Sequence, residues 1–165
     1  MILTKPVILR EIRKRRIRIE PFCLDAVGPA SIDLTLDSKI RVFGPARALQ
    51  GEVDYRRITK VVDIRRGFVL KPGKLVLGIT KEKISLPNNI AGWLNSRSRF
   101  ARIGLMSHIT APFISPGVEN RQVLEIYNAG KCRIRLLPGM RICQIVLQYC
   151  KGSAKYSGIY KSQVF

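Results

Sequence analysis

The feature that most constrains this chain is a period of two, punctuated by proline and glycine. Ser31-Ile32-Asp33-Leu34-Thr35-Leu36 alternates polar and apolar side chains, which sends one set to each face of an extended strand. Further on, Phe68-Val69-Leu70 leads into Lys71-Pro72-Gly73-Lys74 and then Leu75 to Ile79. The same grammar returns as Arg133 to Leu137, Pro138-Gly139, and Arg141 to Leu147. Proline fixes φ and glycine accepts positive φ, so each Pro-Gly marks a tight turn. Another short strand is expected from Lys83 to Leu86. Many short strands joined by such turns, with few helices, predict an all-β barrel or sandwich.

Two stretches break this rhythm. Residues 4 to 16 have Thr4 as a cap, Pro6 in the first turn and an apolar stripe of Ile8, Leu9 and Ile12, which predicts a helix. Its other face carries Arg10, Arg13, Lys14 and Arg16, as a solvated surface or as a polyanion contact. Ser96 and Gly104 bracket residues 97 to 103 as cap and C′ residue, predicting about two turns of helix. Residues 44 to 66 are arginine-rich and unpatterned, read as a loop or long hairpin excursion. No domain boundary or repeat interrupts 1–165, so one domain is expected, with polar residues 151–165 as a closing tail.

Charge and cysteine usage narrow the chemistry. Thirty Lys and Arg against eleven Asp and Glu give a net +19, a field that attracts nucleotides, nucleic acid or anionic surfaces. No run approaches the ~18 apolar residues of a membrane span, and the first residues lack a signal-peptide apolar region; a cytoplasmic protein is expected. Cys23, Cys132, Cys143 and Cys150 form no Cys-x-x-Cys pair, and His108 is the one histidine. A zinc site needs three or four such ligands at tight spacing, so no metal ligands are assigned. The cysteines are expected to be buried apolar residues and His108 to be structural.

Two features then stand out. Around the predicted internal helix, Arg97, Ser98, Arg99 and Arg102 offer donors that suit phosphate, or else form a capped basic surface. Downstream, Glu125 shares a strand face with Val123 and Tyr127, while Leu124 and Ile126 face the other way. A carboxylate among apolar neighbours suits general acid/base work; the alternative is a structural ion pair. Between them lie Thr110-Ala111-Pro112-Phe113 and Ser115-Pro116-Gly117, loop residues that can approach a ligand closely.

These pieces, in their order and spacing, resemble the dCTP deaminases of the trimeric dUTPase-like superfamily. The resemblance rests on Ile19-Glu20-Pro21-Phe22, Ser31-Ile32-Asp33-Leu34, Leu70-Lys71-Pro72-Gly73 and Thr80-Lys81-Glu82. It continues through Arg97 to Leu105, Val123-Leu124-Glu125, Pro138-Gly139-Met140, Gln144 and Gly158 to Gln163. It implies a mainly β, distorted β-barrel or jelly-roll of the dUTPase-like type, with a short N-terminal and a short internal helix. It implies a homotrimer with shared sites and zinc-independent deamination of dCTP to dUTP and ammonia, with Mg2+ bound to the nucleotide. Glu125 would be the proton carrier, aided by Ser98 and Arg102. Arg97 to Arg102 would cradle the triphosphate. Ala111 would hold the water, and Val123, Leu124 and Glu125 would read the pyrimidine edge. Gln144, Tyr156, Tyr160 and Gln163 would complete the substrate contacts.

The chain departs from the family pattern at Ser115, where an aspartate usually holds the sugar, at Phe113, at Arg99 and at Ile159. Ser115 speaks against a dUTPase-like site. Two other activities remain open. One is a bifunctional deaminase/diphosphatase, or dUTPase, forming dUMP and pyrophosphate. The other is a non-catalytic relative that binds nucleotide or, secondarily, nucleic acid.

Overall fold

The computed structural model describes residues 1–45, 48–158, 160 and 165. The chain forms helix α1 (Lys5–Arg13), then strands β1 (Arg18–Glu20), β2 (Ile32–Phe43), β3 (Thr59–Asp63) and β4 (Phe68–Leu70). There follow β5 (Leu75–Ser85), β6 (Ile90–Ser96), helix α2 (Ser98–Ala101), β7 (Leu105–Met106) and β8 (Phe113–Ile114). The last strands are β9 (Glu119–Asn128), β10 (Ile134–Leu136) and β11 (Arg141–Tyr149). The fold is mainly β, as the period of two requires. Nine strands make a curled half-barrel in the order β7-β9-β5-β2-β11-β6-β8, with β1 added to β5 and β3 to β2. Among the described residues no helix is long and apolar enough to cross a membrane.

Strand β2 carries the curl. Its first residues pair with β11, at Ile32↔Ile145 and Leu34↔Cys143. Its later residues pair with β3 and β5, and its register against β5 shifts between Leu36 and Ile40. Such irregularities bend a strand and raise its twist. The alternation seen in the sequence is borne out: Ile32, Leu34, Leu36 and Ile40 are at most 1% exposed. They meet Leu124, Ile126, Ile142 and Ile145 in one core, against which Leu9 and Ile12 of α1 also pack.

Several expectations change in detail. The Pro-Gly turns are present, with Gly73 at φ 69° and Gly139 at φ 81°, but the strands that each one joins do not pair with each other. β4 pairs with β10 instead, and each turn carries the chain from that small sheet onto the half-barrel. The turns are fastened to other strands, Gly73 N–H donating to Asn128 O and Gly139 N–H to Leu36 O, both at 2.8 Å. Turn residues report a change of direction, not the partner reached afterwards. The strand expected at Lys83 to Leu86 is the second half of β5, which stays continuous through a register shift between Ile79 and Lys83. Within that shift the buried Thr80 hydroxyl donates to Glu82 O at 2.8 Å and accepts from Gln122 N–H at 2.9 Å.

α1 stops at Arg13 rather than 16. Arg15 takes φ 56°, Arg16 N–H reaches back to Glu11 O and Arg15 N–H to Ile12 O, a Schellman ending made without glycine. The internal helix is only Ser98–Ala101. Ser96 does not cap it, because its hydroxyl accepts instead from Ser107 N–H and bonds the Ser107 hydroxyl, both at 2.9 Å. Of the four cysteines only Cys143 is buried, which pushes its thiol well above the usual range; Cys23 and Cys132 are exposed.

Candidate active site

Leu124 and Ile126 on β9 are fully buried, so Val123, Glu125 and Tyr127 face away from that core. Directly opposite Glu125 on β5 is Leu77, and opposite Leu77 on β2 is Arg41. This face of the sheet borders a cavity of about 570 Å³, within the usual size range for a small-molecule site. Ala111, Phe113, Ser115, Val123 and Glu125 all line it, and Tyr156 and Tyr160 approach from the far end of the chain. Phe113 is braced by Trp93, its cross-strand partner, with ring centroids 5.0 Å apart.

Glu125 is held rather than merely placed. Its carboxylate accepts hydrogen bonds from Ile109 N–H at 3.2 Å and Thr110 N–H at 2.7 Å, and from the Thr110 hydroxyl at 2.9 Å. Its own N–H donates to His108 Nδ1 at 3.5 Å. The carboxylate is thus met by directed donors at the cavity edge, not by apolar side chains alone. No cation pairs with it among the described residues, so the ion-pair alternative loses its support. His108 also lines the cavity, with Nε2 buried and without a hydrogen-bond partner among the described residues. It is part of this site, as is Thr110; both lie within three residues of Ala111, and that nearness was the available signal.

The second group of expected residues lies elsewhere. Arg97 forms an ion pair with Asp33 at 3.0 Å and donates to Arg141 O at 3.0 Å. Burial raises the Asp33 carboxyl above its ordinary range, although Arg97, Arg141 and Arg99 pull it down. Gln144 stands opposite both Asp33 and Asn95 and accepts from the Ser31 hydroxyl at 3.1 Å. Ser98, Arg99 and Arg102 are exposed beside this cluster. None of Arg97, Ser98, Arg99, Arg102 and Gln144 lines the Glu125 cavity within one chain. Leu124 does not reach it either, because its side chain is in the core and only its backbone is on offer. Gln163, and with it Ile159, lies outside the described residues.

The tail is attached along the cavity rim. Ala154 N–H donates to Asn88 O and Tyr156 N–H to Pro116 O, at 2.8 and 3.0 Å. Asn120 Nδ2 donates to Tyr160 O at 2.8 Å. Residues 44 to 66 are not loop throughout, since β3 occupies Thr59–Asp63, and Phe43 just before them and Tyr55 within them line the same cavity; nothing in their local pattern announced it.

The chain has relatives of known kind. A family model described as dCTP deaminase-like matches residues 2–150. The chain is 39% identical over 160 residues to a protein of Rhodococcus erythropolis named "dCTP deaminase, dUMP-forming", covering 94% of this chain and 85% of that protein. It is 37% identical over 174 residues to a protein of the same name from Parafrankia sp., covering 99% and 87%. Its structure is similar to that of the 2'-deoxycytidine 5'-triphosphate deaminase of Agrobacterium tumefaciens, with TM-score 0.72 and 25% identity over 88% of this chain. That match covers 47% of the Agrobacterium chain, so the present chain spans about half its length. The dUTPase of S. aureus phage phi11 shares the fold, with TM-score 0.53, 13% identity, and coverage of 87% of this chain and 96% of that one.

Proposed function

Because the chain belongs to the dCTP deaminase-like family, we propose that it converts dCTP to dUMP, ammonia and pyrophosphate. The names of its curated relatives support this two-step reading over release of dUTP. The observation that carries it is the Glu125 carboxylate, oriented by the Ile109 and Thr110 amides and the Thr110 hydroxyl at the edge of a cavity of about 570 Å³. A carboxylate so placed takes a proton from a water as the water oxygen bonds to C4 of the cytosine ring. It returns that proton to the exocyclic nitrogen as the C4–N bond breaks and ammonia leaves. A second water then attacks the α-phosphorus and pyrophosphate departs.

The nucleotide enters with Mg2+ on its phosphates, which suits an ion that keeps most of its waters and binds through phosphate oxygens. Arg97, Ser98, Arg99, Arg102 and Gln144 are the groups suited to those phosphates. Their separation from Glu125 within one chain supports a homotrimer in which one subunit presents the carboxylate and its neighbour the cationic cluster. Ser115 replaces a charge with a neutral hydroxyl at the sugar, which is compatible with binding by hydrogen bond.

Incubating the protein with dCTP and, separately, dUTP plus magnesium tests this. dUMP and ammonia forming together from dCTP, with little free dUTP, is expected. Accumulation of dUTP would restrict the activity to deamination, and no turnover of either nucleotide would overturn the reading.

A further inference from the structure

The arginine-rich excursion between β2 and β3 has no part in the chemistry above, yet its geometry ties it to the same cavity. It ends in a 3₁₀ turn, Tyr55–Arg57, capped by the Asp54 carboxylate, which accepts from Arg56 N–H at 3.0 Å. Tyr55 and Phe43 form cavity wall, as Glu125 does. Beneath Tyr55 sits Arg41, only 9% exposed. Arg41 has no carboxylate partner among the described residues, and its Nε is buried without a hydrogen bond.

A buried guanidinium without an acid is costly and needs another reason to be there. Two contacts show what it holds. Its carbon lies 5.6 Å from the Tyr55 ring centroid and 5.6 Å from that of Phe165, the geometry of a cation against aromatic faces. Its Nη1 donates to the Thr59 hydroxyl at 3.1 Å, and that hydroxyl donates to Tyr55 O at 2.7 Å. Side chain and main chain of Tyr55 are therefore both positioned from Arg41.

Register fixes the distance to the reacting group. Arg41, Leu77 and Glu125 are directly opposed on three neighbouring strands, so their side chains share one face of the sheet. Two inter-strand steps separate Arg41 from Glu125, about 10 Å. A nucleoside laid along that row, with its amino-bearing edge at Glu125, directs its sugar end towards Tyr55.

Resting on the deaminase reading, we propose that Tyr55 is a substrate-binding residue, the wall against which the nucleoside packs, and that Arg41 is its positioning residue. The 3₁₀ turn at Tyr55 is then part of the site and not a spacer.

The test compares Tyr55→Ala, Tyr55→Phe and Arg41→Met with the unaltered protein, in steady-state turnover of dCTP and in equilibrium binding of dCTP to each. Tyr55→Ala is expected to raise KM and Kd about tenfold while kcat stays within about threefold, the pattern of lost ground-state binding. Tyr55→Phe keeps the ring and stays near the unaltered values. Arg41→Met shifts KM in the same direction as Tyr55→Ala, and combining the two adds little, because they act as a unit. A Tyr55→Ala protein that folds, turns over and keeps KM within twofold overturns the inference and leaves the deaminase reading intact. If the unaltered protein turns over neither dCTP nor dUTP, the deaminase reading falls. The binding measurement then decides this inference by itself, supported by loss of dCTP binding in Tyr55→Ala and overturned by its retention. Destabilisation of Arg41→Met without a change in KM or Kd would make that arginine purely structural and overturn its assigned role.

Discussion

Replacing Arg97 tests whether that residue first serves the fold. Asp33 and Arg97 pair at 3.0 Å with side chains 14% and 25% exposed. Removing one member of a well-buried pair costs about 3–5 kcal/mol. Here both groups keep some water and Arg141 and Arg99 also act on Asp33, so Arg97→Met should cost about 2 kcal/mol. For a chain of this size that lowers Tm by about 6 °C. The loss should depend on pH in a definite sense. Burial already raises the Asp33 carboxyl in the folded protein, so the folded state binds this proton more readily than the unfolded chain. Without Arg97 the carboxyl rises further. The variant therefore regains stability as pH falls from 7.5 towards 5, relative to the unaltered protein. Urea denaturation at both pH values measures this. In an Asp33→Asn background the same Arg97→Met change should cost at least 1 kcal/mol less. An equal cost in both backgrounds, or a loss independent of pH, would refute the pairing argument.

Glu125→Gln should lower kcat for ammonia release by a factor of at least about 10³ while dCTP affinity stays within a few fold, checked by turnover and equilibrium binding. A Glu125→Gln protein and a protein inactivated by Ser98→Ala together with Arg99→Met and Arg102→Met should recover about one quarter of full activity when mixed as equal exchanging subunits, since in a shared-site homotrimer that fraction of sites is intact; no recovery would place both groups in one subunit's site. Asp37 is drawn upward by burial but held below its usual range by hydrogen bonds from Arg121 and the Ser38 amide. Its contribution is full above about pH 4 and is lost as pH falls through the lowered value, so Asp37→Asn should flatten the acid limb of stability measured by denaturation. Gly104 has φ 80°, and a Cβ there would lie 2.5 Å from Gly130 N, so Gly104→Ala should cost about 2–4 kcal/mol in the same assay.

The fold class was legible because burial on one face of a sheet imposes a period of two, and β2 shows that period directly. The acid on β9 was legible for the same reason: Leu124 and Ile126 point inward, so Glu125 must point out. Partner choice was not legible. The Pro-Gly segments around Gly73 and Gly139 read as turns and are turns, but nothing in them said that β4 would pair with β10, a strand more than sixty residues further along the chain. Ser96 looked like a helix cap, but Ser107, eleven residues away, competes for its hydroxyl. Local propensity is a weak prior against such contacts.

By itself, the sequence determined what each residue can do: alternate across a sheet, turn, donate to phosphate or carry a proton. Tertiary structure decided which of these meet. It set Glu125 into the donors of Ile109 and Thr110, tied Arg97 to Asp33, kept the arginine cluster off the cavity of its own chain, and folded Tyr55 and Arg41 back onto the row that leads to Glu125. The physical reason is that side-chain chemistry is local, whereas strand register and sheet curl set distances between residues far apart in the chain.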